Sequence, residues 1–330
     1  MRLSPGLICH GESGTQYRLL RPLHKTPPTL WLAQDNTTPN IEYILKQPPK
    51  AQDNTEESYL DALAAFNHEL EMQRLFAKDA MVRKLVDYIP ETEPTGPMMV
   101  LEALGNTLWD ARNMRSFTMK EIKWIMKGVL LGIFTVHMKG LVYTGRDESE
   151  NESKSISPDL KMENILLDNF NPETPNDNFR DLIVRLADCG SISKPSTSTS
   201  TRQITSLTYR SPEFAQLLQA KSDFHAPGIY DSLNTNTPFP STDGEKERMI
   251  RDQLAIDFDL GSVPFYAADE QCAKLLPTPQ PEKAYMWANT MVEKDMAGEE
   301  DIQFLVEVLH PDPEARLTIP EILESGYLEG

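Results

Sequence analysis

Polar residues in the middle of the chain have the types and spacing needed for phosphoryl transfer. Asp159, Lys161 and Asn164 lie within the six residues DLKMEN, and Asp188 follows the apolar run LIVRLA. Phosphoryl transfer requires a cation on the nucleotide phosphates, oxygen ligands for Mg²⁺ and a carboxylate that orients the attacking hydroxyl. Carboxylate, ammonium and amide side chains provide groups of all three kinds, so this stretch is a candidate reaction site.

The order of three motifs resembles that of the eukaryotic protein kinase superfamily. DLKMEN at 159–164 resembles the catalytic loop D-L-K-x-x-N, and Asp188-Cys-Gly190 stands where the family has D-F-G. Tyr209-Arg-Ser-Pro-Glu213 resembles the end of a kinase activation segment. The resemblance extends over roughly residues 17–328, and the chain is identified as a divergent serine/threonine kinase-like protein.

The resemblance implies a role for each polar residue of these motifs. Asp159 would accept the proton of the substrate hydroxyl, and Asn164 and Asp188 would ligate Mg²⁺. Lys161 matches the lysine of serine/threonine-directed kinases and would steady the γ-phosphate. ATP and Mg²⁺ are therefore the expected cofactors.

Upstream residues complete the resemblance. Lys46, at the end of EYILK, matches the lysine that contacts the α- and β-phosphates of the nucleotide. Its glutamate partner matches Glu69 in the predicted helix FNHELEMQRL, with Glu71 as the alternative. A second ion pair is implied near the C-terminus, where Arg316 matches the arginine that pairs with the glutamate at position 213.

The segment MMVLEALG at 98–105 resembles the strand that leads to the kinase hinge. This alignment puts Leu101 at the gatekeeper position, next to the adenine pocket. The backbones of Glu102 and Leu104 would then form the hydrogen bonds with adenine.

The sequence departs from the family where a glycine-rich loop normally covers the phosphates. In register with Lys46 it has HKTPPT at 24–29, with no glycine and with two prolines that lack an N–H. The basic residues of this segment are an electrostatic alternative for phosphate binding. GESG at 11–14 is expected to precede the first strand and so to lie too early.

A second departure precedes the catalytic aspartate. Residues 145–158 form an insert, so the position of H-R-D reads either Tyr143-Thr144-Asp159 or Ser157-Pro158-Asp159. Neither version contains the bracing histidine or the arginine that binds an activation-segment phosphate. Control by phosphorylation of that segment is therefore not expected.

Apolar periodicity predicts two structurally different regions. The first region should contain short strands and one helix near Ser58 to Ala77, in which Leu63, Phe66 and Leu70 share a buried face. The predicted strands are Tyr17–Arg21, Thr29–Ala33, Glu42–Gln47, Val82–Ile89 and Met98–Leu104.

The second region should be mainly helical. Thr118 and Glu121 form a predicted capping box. Apolar residues then recur at helical spacing from Ile122 to Val136, which predicts a long buried helix. Strands are predicted at Asn164–Leu167 and Leu182–Ala187. We therefore expect an α+β, bilobal kinase-like fold, with a β-rich N-lobe and hinge over 1–104 and a helical C-lobe over 105–330.

Composition limits the partners that are expected. The net charge is −18, and such an acidic surface repels nucleic acids and anionic membranes. Three scattered cysteines and no apolar run long enough to span a bilayer predict an intracellular protein, cytoplasmic or nuclear. A monomer with a protein substrate or a regulatory protein partner is expected.

Two functions remain open on the sequence alone. The first is ATP-dependent phosphoryl transfer to serine or threonine hydroxyls of proteins. The alternative is a pseudokinase, a nucleotide-binding or non-catalytic regulatory module, which the missing glycines and the altered H-R-D position favour.

Overall fold

In a computed structural model of the chain, the described residues are 3–23, 29–49, 55–143, 160–194, 243–295 and 297–329. Those up to 143 and from 160 to 194 belong to one unit, and those from 243 onward belong to another. The first unit contains the predicted site residues Lys46, Glu69 and Asp188. The predicted lobe boundary after residue 104 falls inside this unit and stays a prediction.

A six-stranded antiparallel sheet forms the first part of the first unit. Alternation along its strands buries one face, as with Tyr17 and Leu19 on one strand and Trp31 and Ala33 on the next. The spatial order is β1-β2-β3-β4-β6-β5. The strands are β1 (Ile8–His10), β2 (Gln16–Pro22), β3 (Leu30–Asp35), β4 (Glu42–Lys46), β5 (Leu85–Ile89) and β6 (Met98–Glu102).

The five predicted strands of this region are present, with ends shifted by a few residues, but the sequence analysis missed β1. This three-residue strand pairs with β2 and is too short to show a period of alternation. GESG at 11–14 therefore lies in the β1–β2 hairpin, after the first strand, and the expectation that it precedes that strand was wrong. Its position before β2 still separates it from the segment that connects β2 and β3. The ends of those two strands lie at Lys46, because Leu30 pairs with Lys46 and Leu23 N donates to Leu30 O.

The predicted helix is α1 (Glu56–Leu75), and it packs on the sheet. Thr55 caps its start, since its side chain accepts a hydrogen bond from Ser58 N. Phe66 and Leu70 are buried in one cluster with apolar residues of β4 and β6. Phe66 and Leu70 are therefore buried as expected, while Leu63 is only partly buried. Glu69, next to Leu70, contacts Lys46 at the end of β4.

Two helices follow β6 along the chain, α2 (Leu108–Met114) and α3 (Met119–Met138). The predicted capping box at the start of α3 is confirmed, with Thr118 Oγ1 accepting from Glu121 N and the Glu121 carboxylate accepting from Thr118 N. Ile125 and Val136 are buried as expected, but Ile122 is 37% exposed, so its predicted burial was wrong.

The buried face of α3 is lined by glycines as well as by apolar side chains. A Cβ on Gly132 would lie 2.6 Å from Leu186 Cδ1, and one on Gly128 would lie 2.8 Å from Val184 Cβ. Sequence periodicity follows apolar side chains and therefore cannot register this close approach. The absence of side chains at these positions lets α3 lie directly against the strand that leads to Asp188.

The remaining strands of the first unit form small sheets beside α3. The first has the order β10-β9-β7, and the second pairs β11 with β8. A parallel bridge between Val82 and Leu186 joins the segment after α1 to β10. The strands are β7 (Asn106–Thr107), β8 (Val142–Tyr143), β9 (Ile165–Asp168), β10 (Ile183–Leu186) and β11 (Ile192–Ser193).

The second unit is helical where it is described. Tyr266 is fully buried and donates to Pro311 O, and Phe304 stacks on Tyr327 with 3.8 Å between ring centroids. No strand occurs among its described residues. The helices are α4 (Asp243–Asp257), α5 (Pro264–Ala267), α6 (Glu270–Leu275), α7 (Met286–Glu293), α8 (Glu299–Val308) and α9 (Ile319–Glu324).

Candidate active site

The structure brings three of the predicted site residues into contact. Lys46 Nζ lies 2.6 Å from Glu69 Oε1 and 3.4 Å from Asp188 Oδ1. Lys46 is the last residue of β4, Glu69 lies on the sheet-facing side of α1, and Asp188 follows β10. The partner of Lys46 is therefore Glu69, as expected, and the alternative Glu71 is exposed.

Burial and charge act in opposite directions on Lys46. Burial lowers the pKa of the Lys46 ammonium, but the charges of Glu69 and Asp188 outweigh burial and raise it above its ordinary value. The side chain of Glu69 is 8% exposed and that of Asp188 is 44% exposed. Lys46 is therefore protonated at neutral pH, between the buried carboxylate of Glu69 and the partly exposed carboxylate of Asp188.

The backbone at Asp188 has a left-handed conformation, with φ 60° and ψ 63°. Asp tolerates this region better than most residues, but it still needs support from its surroundings. The Tyr143 hydroxyl provides support, because it donates to the carbonyl oxygens of Ala187 and, at 3.0 Å, of Asp188. Tyr143 therefore braces the strand end that presents Asp188.

The segment after Asp188 is attached to α1. His68 Nε2 lies 2.8 Å from Ile192 O, so this nitrogen carries the hydrogen in the contact. A Cβ on Gly190 would lie 3.6 Å from Glu69 Cβ, which puts the short turn Cys189–Ser191 directly against the helix. Burial raises the pKa of the Cys189 thiol, so it stays uncharged beside Asp188 at neutral pH.

The two expected magnesium ligands lie on neighbouring chain segments. Asn164 ends the short turn Met162–Asn164, which Lys161 precedes, and Asn164 O accepts from Ala187 N at 2.8 Å. Asn164 is thus opposite the residue before Asp188. Carboxylate and amide oxygens are hard ligands that suit Mg²⁺, so the donors present fit a divalent cation. The described residues contain no group of three or more His, Cys, Asp or Glu side chains arranged for a metal.

The predicted hinge follows β6. Leu101 is buried and pairs with Ile44, two residues before Lys46. Glu102 N donates to Lys84 O, and Glu102 O accepts from the Nε of Arg83 at 2.8 Å. Leu104 is half-buried. The Glu102 carbonyl oxygen, one of the backbone groups expected to contact adenine, therefore already accepts a hydrogen bond from Arg83.

Several sequence predictions fall on residues outside those that the structure describes. These are Asp159, the expected catalytic base, the loop segment 24–28 and Glu213. The expected ion pair of Arg316 with Glu213 therefore lies outside the described residues. Among the described residues, Arg316 donates from Nε to His310 O at 2.8 Å.

Sequence reasoning missed three residues that contact the site. Tyr143 was noted only as a departure from the family histidine, although a tyrosine can donate a hydrogen bond from that position. His68 was not among the residues expected at the site. Arg83 was not considered, and the only signal for it was a charged residue, next to Lys84, inside the predicted strand Val82–Ile89.

Comparisons with known proteins agree with this geometry. The family model described as protein kinase domain matches residues 34–328. A similar solved structure is the crystal structure of the yeast RNA Pol II CTD kinase CTDK-1 complex, with a TM-score of 0.59 and 16% sequence identity over 95% of this chain and 93% of that one. No curated protein matches the chain. Among the described residues, no helix has the length and apolarity required to cross a bilayer.

Proposed function

Because the chain belongs to the protein kinase family, we propose that it transfers phosphate from ATP, with Mg²⁺, to serine or threonine hydroxyls of proteins. The observation that carries this proposal is the ion pair of Lys46 with Glu69 beside Asp188. These groups are remote in sequence, and a solvated surface lysine has no need of two carboxylates in this arrangement.

The proposed reaction requires the lysine to hold the phosphates while the metal neutralises their charge. Lys46, kept protonated by its carboxylate neighbours, would bind the α- and β-phosphates. Asp188 and Asn164 would hold Mg²⁺, which supplies charge stabilisation at the phosphates when it is bound. Asp159 would orient the substrate hydroxyl, and Lys161 would contact the γ-phosphate. The match of Lys161 to the family lysine supports the serine/threonine assignment.

The test is a MgATP titration of the full chain and of Lys46→Met by calorimetry. The proposal predicts at least about a tenfold weaker affinity in the variant, because a charge-assisted hydrogen bond to a phosphate contributes roughly 1.5–3 kcal/mol. Lys120→Met is the matched control, since it removes an exposed lysine on α3. Equal affinities of all three proteins would refute the assigned site.

Catalysis needs a separate measurement from binding. Transfer of radiolabelled phosphate to basic test peptides should occur with the wild-type chain and disappear in Asp188→Ala. The acidic surface, with a net charge of −18, favours basic peptides. Incorporation that is the same in wild type and Asp188→Ala would rule out phosphoryl transfer by this site.

The second candidate function is a pseudokinase that binds a protein partner. It is favoured by the glycine-free segment HKTPPT, whose prolines cannot donate to phosphates, and by the missing H-R-D arginine. A bound ligand raises the melting temperature in proportion to the logarithm of its concentration over Kd. A Tm that does not change with millimolar MgATP would favour this second function over the first.

We also propose a protein as the substrate or regulatory partner. The similar yeast structure is a kinase in a complex, which supports a partner of this kind without identifying it. An intracellular location and a monomeric chain remain part of the proposal. Size-exclusion chromatography with light scattering tests the second point against the chain mass of 37.4 kDa.

A further inference from the structure

The predicted hinge contains a contact that a simple adenine site does not require. Arg83 Nε donates to the carbonyl oxygen of Glu102 at 2.8 Å. This carbonyl is one of the groups assigned above to adenine, where it would accept from the 6-amino group. A guanidinium therefore lies beside the atom that would recognise the base.

Arg83 is held at this position by its own backbone. Its N–H donates to Leu186 O at 2.8 Å, and Leu186 N donates to Met81 O. Leu186 lies two residues before Asp188, so the arginine is fixed to the strand that presents the metal ligand. The Arg83 side chain extends from the segment Met81–Arg83 to the predicted hinge, where its Nε donates to Glu102 O.

The Arg83 guanidinium is charged at neutral pH. Burial lowers its pKa to about 10, while the charges of Glu69 and Glu102 oppose this change. Its hydrogen bond to Glu102 O is the only one it forms with described residues, although a guanidinium has five N–H groups and no acceptor. The remaining N–H groups can therefore donate to a ligand but cannot accept from one.

We propose that Arg83 is a base-specificity residue that reduces the preference of this site for adenine over 6-oxopurine nucleotides. The inference rests on the proposed nucleotide-binding function. Adenine presents its 6-amino donor to a carbonyl that already has a cationic donor. A 6-oxopurine presents an acceptor, which can receive a charge-assisted hydrogen bond from Arg83. Its N1–H is a donor and would face the backbone N–H of Leu104, which is also a donor. The preference for adenine over a 6-oxopurine is therefore reduced but not reversed.

Inosine triphosphate isolates the 6-position, because it has the 6-oxo group of guanine without the 2-amino group. The experiment measures Kd for MgATP, MgGTP and MgITP by calorimetry, on the full chain and on Arg83→Met. Methionine keeps an unbranched chain of similar length but removes the charge and every donor. The expected result is a ratio of Kd(ITP) to Kd(ATP) that rises about tenfold or more in Arg83→Met, equivalent to about 1.4 kcal/mol.

Lys84→Met is the matched control. Lys84 is the next residue, its side chain is exposed, and the variant loses the same charge from the same strand region. Its ratio should equal that of the wild type. Arg83→Gln covers the case in which Arg83→Met fails to fold, since glutamine keeps a donor without charge and should change the ratio in the same direction.

The outcomes separate this inference from the proposed function. Wild-type binding with an unchanged ratio in folded Arg83→Met or Arg83→Gln overturns the specificity role and leaves nucleotide binding intact. A ratio that rises equally in Lys84→Met also overturns it, because the effect would then come from net charge alone. If no nucleotide binds to the wild type, the proposed function is refuted and this inference with it.

Discussion

Replacing Tyr143 by phenylalanine tests whether a tyrosine braces the segment that presents Asp188. The substitution removes one hydroxyl, which donates to Ala187 O and Asp188 O, and keeps the ring that packs in the core. Tyr143 is 8% exposed, so water cannot readily replace the lost donor.

The magnitude follows from two effects at the same place. Removing the donor from a buried acceptor such as Ala187 O costs about 1–3 kcal/mol, while Asp188 O keeps a hydrogen bond from Ser191 N at 3.4 Å. The left-handed backbone of Asp188 stores an additional strain on the order of 1–3 kcal/mol, which the segment releases if it relaxes. Relaxation limits the total cost, so we expect the free energy of unfolding to fall by about 1–3 kcal/mol. Relaxation would also displace the Asp188 carboxylate and weaken Mg²⁺ binding.

Urea denaturation measures the first effect, and a Mg²⁺ titration at fixed ATP measures the second. Tyr43→Phe is the control, because the Tyr43 ring packs edge-on against Tyr17 and its hydroxyl forms no hydrogen bond with described residues. A loss in Tyr143→Phe below about 0.5 kcal/mol, the range of an ordinary surface substitution, contradicts the bracing role. So does an unchanged Mg²⁺ dependence in a variant that is destabilised as expected.

Two further predictions concern α3. Burial opposes ionisation of Glu121, but its bidentate pair with Arg115 and its bonds to backbone N–H groups lower the pKa from 4.5 to about 2. This carboxylate therefore contributes up to about 3 kcal/mol above pH 5, lost as pH falls toward 2. Glu121→Gln should lower the free energy of unfolding by up to that amount at pH 7, and the difference from wild type should disappear near pH 2. Urea titrations at several pH values measure this difference, and one that does not change with pH would refute the prediction. Gly132→Ala should lower the unfolding free energy by about 1–3 kcal/mol, because its Cβ would overlap Leu186, and an unchanged melting temperature would contradict this packing.

Much of the fold was predictable because its elements are periodic and its motifs have a fixed order. The apolar face of α1 and the capping box at Thr118 are local signals, and both are confirmed. The strand β1 is too short for a pattern, so it was missed. The buried face of α3 includes Gly132, which carries no hydrophobic signal although the fit against β10 depends on its lack of a side chain.

The candidate site was predictable to a lesser extent. Order and spacing relative to a known family identified Lys46 and Glu69, and the structure brings them to 2.6 Å. Contacts made by Tyr143 and Arg83 were not predictable, because each connects a side chain to a backbone carbonyl far away in sequence. Every residue has a backbone carbonyl, so the sequence does not indicate which carbonyl accepts a hydrogen bond from a distant side chain.

The bridge between Val82 and Leu186 affects how the chain could be divided. The segment from Met81 to Arg83 exchanges backbone hydrogen bonds with Leu186, and α1 contacts the turn that follows Asp188. A fragment truncated at Leu104 would leave the donor Arg83 N, the acceptor Met81 O and the face of α1 around Glu69 without these partners. The expected boundary between lobes is therefore not a boundary between autonomous pieces, and split halves would need to be co-expressed so that each completes the other.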